Sequence, residues 1–114
     1  MVRRIEAVID DMLGAVEGIE RATAGRTLQD FSSDWLLRHG VQRGIEIVSE
    51  AARHLPDDIL DRQPTIPWDR VKGIGNVLRH EYHKVADDIL WAVVVRDLPP
   101  LKSALLAIRK SLST

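Results

Sequence analysis

The stretch Gly73-Ile74-Gly75-Asn76-Val77-Leu78-Arg79-His80-Glu81-Tyr82-His83-Lys84-Val85 decides how this chain is read. At about 100° per residue its side chains sort by angle around a helix. Val71, Ile74, Leu78, Tyr82 and Val85 share one side at the i, i+3, i+4 spacing that seeks a core. Gly73, Asn76, His80 and His83 point away from it. Interior glycines each cost a surface helix roughly 1 kcal/mol relative to alanine. Gly73 and Gly75 therefore predict that another backbone or a ligand comes close. The helix is expected to have two occupied faces, one for its own core and one for something else.

Upstream, residues 3 to 22 read as an amphipathic helix with Ile5, Val8, Ile9, Met12, Val16 and Ile19 on one stripe and Gly25 as its stop. Thr27 and Asp30 have the spacing of a capping start for a short turn through Phe31. Ser33 or Asp34 then caps a longer helix to about His54, with Leu37, Val41, Ile45, Val48, Ala52 and Leu55 inward. Gly40 and Gly44 on it predict close helix packing, and Arg43, Glu46 and Glu50 are spaced to pair among themselves. Pro56 to Pro67 is a connector, with one helical turn at Asp57-Asp58-Ile59-Leu60. Pro67-Trp68-Asp69 opens the quoted helix, which should end near Lys84. Ala86 or Asp87 starts the last segment, which Pro99-Pro100 either interrupts or restarts as a new helix. With no strand and no repeat in view, the expectation is all-α: four or five helices in an antiparallel bundle.

The 114 residues make one domain, 1–114, and 45% hydrophobic with 29% charged residues is ordinary for a folded globular chain. Without cysteine there is neither a disulfide framework nor a thiolate site. Carboxylates arrive too early for a signal peptide and no apolar run approaches a membrane span, so the cytoplasm is the expected location and no membrane is expected as a partner. A net charge of −1 excludes a protein that coats nucleic acid generally, but Arg70, Lys72, Arg79 and Lys84 face only Glu81 and predict a local basic patch.

His80 is the candidate for proton transfer, because imidazole is the side chain suited to that work near neutrality. Asn76, one turn earlier, shares its face and could orient the ring or donate to a phosphate oxygen. The competing reading of His80 is a plain solvent-facing histidine, and that of Tyr82 a core tyrosine with its hydroxyl at the rim. His80 and His83 have the spacing of a metal pair, but no third ligand stands near beyond Glu81, so neither a metal nor another cofactor is expected.

Residues 75 to 82 resemble the motif of the HepT-like branch of the HEPN superfamily: Arg-Asn, three residues, His, one residue, Tyr. Ile45-Glu46-Ile47-Val48-Ser49-Glu50-Ala51-Ala52 is similar to the family's leucine/isoleucine-Glu-Ile-Ile-Gly-Glu-Ala-Ala helix. Ile66-Pro67-Trp68 is similar to its entry to the motif helix, and Ile89-Leu90-Trp91 with Asp97-Leu98-Pro99-Pro100-Leu101 to its C-terminal segment. The resemblance covers nearly the whole chain. It implies a helical bundle that forms a homodimer with the motif helices near the interface. It also implies a toxin of a bacterial toxin–antitoxin pair, a metal-independent RNA endonuclease silenced by a small MntA-like nucleotidyltransferase that attaches AMP to the motif tyrosine. Carried over, His80 is the acid/base histidine, Asn76 the motif asparagine and Tyr82 the AMP acceptor. The family's arginine falls at Gly75, which cannot hold a phosphate; Arg79, one turn later, is the candidate to reach a similar volume. That departure keeps a second expectation open, a dimeric binding or scaffold protein without useful nuclease activity.

Overall fold

The computed structural model describes residues 4–81, 83 and 85–112. Among these there is no strand, and the architecture is an all-helical bundle. Helix α1 (Ile5–Thr23) places Val8, Ile9, Met12, Val16 and Ile19 inside and ends before Gly25, whose φ of 73° turns the chain out of the helix. Helix α2 (Leu28–Ser33) opens on the expected capping box: Thr27 and Asp30 each accept from the other's backbone N–H. Asp34, the second of the two caps considered, accepts from Leu37 N–H and starts α3 (Trp35–Ala52). Its apolar stripe is buried except for half-buried Leu37.

After the short turn α4 (Asp57–Leu60), α5 (Trp68–Glu81) is the motif helix. Pro67 accepts from the N–H groups of Arg70 and Val71, and the Trp68 indole donates to the carbonyls of Leu60 and Gln63, both at 3.1 Å. That indole pins the start of α5 to the connector that feeds it. Helix α6 (Asp87–Ala92) begins after Ala86 and runs through one π-helical turn, Val93–Asp97, into α7 (Leu98–Leu112). Pro99 and Pro100 sit in the first turn of α7, where missing N–H groups cost least, so they restart the helix without breaking its path.

Helices α1 and α5 both pack on α3, α7 packs on α1, and α2 packs against α3 and α6. Phe31 of α2 and Trp91 of α6 meet at 5.2 Å between ring centroids. The pairing of α3 with α5 is antiparallel: Arg38 reaches the carbonyl of Val85, Gln42 that of Leu78, and Ser49 that of Lys72. Leu78 is fully buried in this bundle. L78A is expected to lower unfolding free energy by about 2–5 kcal/mol, seen as an earlier urea midpoint with an unchanged slope.

Two of the four glycine expectations hold. A Cβ on Gly44 would lie 2.7 Å from the Ile19 side chain, and one on Gly75 would lie 2.6 Å from Ser49 Oγ. Gly40 and Gly73 have open space instead; Gly73 faces about 160° round α5 from Gly75 and so away from α3.

Candidate active site on the motif helix

Side chains of α3 hold α5 by its backbone. The Ser49 hydroxyl donates to Lys72 O at 2.9 Å and accepts from Gly75 N–H at 3.0 Å, so one group bridges successive turns of the motif helix. Arg53 Nε donates to the same Lys72 carbonyl at 3.2 Å. Beyond the C-terminal end of α5, Arg38 donates to Val85 O and pairs with Asp87 at 2.7 Å, which fixes where the chain leaves the motif. Gly75 is buried at this crossing, and its lack of a side chain is what allows Ser49 to sit there.

Beside Gly75 a groove of about 340 Å³ opens between α3 and α5 and reaches Asp11 of α1. Asn76 and Arg79 line it from α5, Arg43, Glu46 and Glu50 from α3, and Arg53 and His54 from the residues just after α3. Arg43 and Glu46 pair at 3.7 Å, as their spacing predicts. Arg79 is exposed and has no ion pair among the described residues. His80 is exposed too, about 40° round α5 from Asn76 and away from the groove wall. Asn76 thus lies between Arg79 and His80 on the outer side of the helix. Among the described residues no other side chain orients the imidazole. Tyr82 lies outside the described residues, as does Lys84.

Of the predicted basic patch, Lys72 and Arg79 lie about 20° apart round α5, and Lys84 lies outside the described residues. Arg70 and Arg79 emerge about 180° apart on α5, since nine residues make two and a half turns. The cations that line the groove with Arg79 are Arg43 of α3 and Arg53 just after it, and three carboxylates stand among them. Arg53 and His54 escaped the sequence reading because they belong to the α3 end of the groove. The available signal was the polar face Arg43, Glu46, Glu50, Arg53 set antiparallel to the motif helix. Among the described residues no three His, Asp or Glu side chains are grouped as a metal site, and no helix is long and apolar enough to cross a membrane.

The family model described as "Ribonuclease HepT-like" matches residues 12–108. A Thermococcus cleftensis protein named a probable ribonuclease HepT is 33% identical over 96% of this chain and 100% of its own. A candidate RNase of Methanocaldococcus jannaschii is 29% identical over 88% of this chain and 92% of its own. One from Caldanaerobacter subterraneus subsp. tengcongensis is 28% identical over 82% and 84% respectively. No solved structure matches the chain.

Proposed function

This chain belongs to the HepT-like family, and on that footing we propose that it is an endoribonuclease that works as a homodimer in the cytoplasm. One observation carries the reading: α5 presents Asn76, Arg79 and His80 together on its exposed side, next to a groove that holds two further guanidinium groups. In this reading the RNA 2′-hydroxyl attacks the adjacent phosphorus while His80 takes its proton. The 5′-oxygen of the next nucleotide leaves and is protonated, which yields a 2′,3′-cyclic phosphate and a 5′-hydroxyl. Asn76 and Arg79 donate to the non-bridging oxygens, where negative charge builds up. A second subunit would enclose the exposed His80 and bring a second Arg79 towards it.

Such a protein fits the toxin of a toxin–antitoxin pair, with an MntA-like nucleotidyltransferase as antitoxin. AMP on Tyr82, three residues after Arg79 in the sequence, would add bulk and negative charge to the motif segment. Intact mass after incubation with such an enzyme and ATP is the check, and a gain of AMP that persists in Y82F removes the proposed switch.

The ribonuclease reading is tested with purified protein, single-stranded RNA and EDTA. Cleavage that leaves cyclic phosphate ends, and that stops when the ribose 5′ to the cut is replaced by deoxyribose, is the expected result. RNA that stays intact over all protein concentrations defeats it. The second reading, a dimer that binds without cutting, is favoured by the buried Gly75, a position where the family motif has arginine. Under that reading the same RNA is retained in a complex and not cut.

A further inference from the structure

We propose that the groove beside Gly75 is a binding site for one phosphodiester of single-stranded RNA, held by Arg53 and Arg79. The inference rests on the ribonuclease reading and adds to it the residues that take over from a side chain at position 75.

Three observations support it. First, position 75 cannot itself project a cation into the groove, because Ser49 fills the place a Cβ would need. Gly75 itself lies in the lining of the groove. Second, the guanidiniums around it are unequally engaged. Arg43 faces Glu46 in an ion pair. Among the described residues Arg53 bonds through Nε to the Lys72 carbonyl, which anchors its planar fork and leaves the Nη edge for an anion. Arg79 has no ion pair among the described residues. Third, Asn76 lines the same wall as Arg79 and adds an amide donor.

The carboxylates decide where the phosphate sits. Glu46, Glu50 and Asp11 lie on the α3 and α1 parts of the lining and repel an anion there. The α5 edge, between Arg79 and the Arg53 fork, is the place left for it. A site with this balance of charge takes one phosphate in a fixed position and gives weak attraction to polyanions generally, which agrees with the net charge of −1.

The test is binding of an RNA oligomer whose riboses are all 2′-O-methylated, so that no hydroxyl can attack, followed by fluorescence anisotropy at fixed low salt. R53Q and R79Q are each expected to weaken binding roughly tenfold, and the pair together by more. R53K keeps the charge but loses the fork anchored on the Lys72 carbonyl, so its affinity should fall between those of R53Q and wild type. R70Q, on the opposite side of α5, should stay within about twofold of wild type. Equal binding by wild type, R53Q and R79Q, or an R70Q loss as large as theirs, overturns the site. Inorganic phosphate that binds as tightly as the oligomer overturns the RNA assignment in favour of a free-anion site. Wild type that fails to cut unmodified RNA would remove the ribonuclease reading alone, since this binding measurement does not depend on cleavage.

Discussion

An H80A variant is expected to cut RNA about 10²–10⁴-fold more slowly than wild type, the usual contribution of a positioned general acid or base. Its thermal midpoint should not move. His80 is exposed on α5 and no hydrogen bond of the described residues depends on it, so nothing in the bundle is lost with the ring. That combination separates a chemical role from a structural one, which would move both readouts. H80Q sharpens the comparison, because glutamine can still donate to a phosphate oxygen but cannot shuttle a proton. It should be as slow as H80A if proton transfer is the role, and intermediate if the imidazole only binds. Cutting by H80A within a few-fold of wild type would remove His80 from the chemistry. The fold and the phosphate groove would stand untouched.

The backbone architecture was legible because its signals are local. The capping pair Thr27 and Asp30, the stripe from Ile5 to Ile19 and the turn at Gly25 each involve residues close along the chain, and each appears where periodicity or capping chemistry places it. The two prolines were ambiguous for a physical reason. Whether they break or restart a helix depends on the π-helical turn at Val93–Asp97, which no residue pattern announces. The site was legible only on its own helix. Periodicity separates Asn76 and His80 from Leu78, and it predicts a close approach at Gly75, but it cannot name the neighbour. Ser49, Arg53 and the groove between α3 and α5 depend on the register of two antiparallel helices, which is set by hydrogen bonds such as Gln42 to Leu78 O and Ser49 to Lys72 O. For the same reason the basic patch was only partly legible: Arg70 leaves α5 on the side opposite Arg79, while the cations that line the groove with Arg79 come from other parts of the chain.

The register also determines what happens when arginine is placed at position 75. G75R alone is expected to destabilise the chain by about 2–4 kcal/mol, from overpacking plus the loss of the Ser49 bridge. Its Cβ would meet Ser49 Oγ at 2.6 Å and Ser49 Cβ at 2.7 Å, and the serine side chain is too short to swing clear of the crossing. Adding S49G removes both contacting atoms. The double variant moves one glycine from α5 to α3, so the helix-propensity costs of about 1 kcal/mol nearly cancel. It should therefore melt well above G75R, and fall below wild type in stability by about 1–2 kcal/mol for the lost Ser49 hydrogen bonds. The family helix that resembles residues 45–52 has glycine where this chain has Ser49, beside a motif with arginine where this chain has Gly75. The two positions are thus expected to vary as a pair, with room for only one side chain at the crossing. In S49G/G75R the new guanidinium stem passes through the space that the serine side chain vacates and reaches the groove. If wild type lacks a full transition-state donor, cleavage should rise about 10²–10³-fold, the usual worth of one such group. A double variant that folds and is no faster would mean that Arg53 and Arg79 already supply that charge. G75R melting with wild type would instead show that the α3–α5 crossing yields, and the account of Gly75 as a packing requirement would fail.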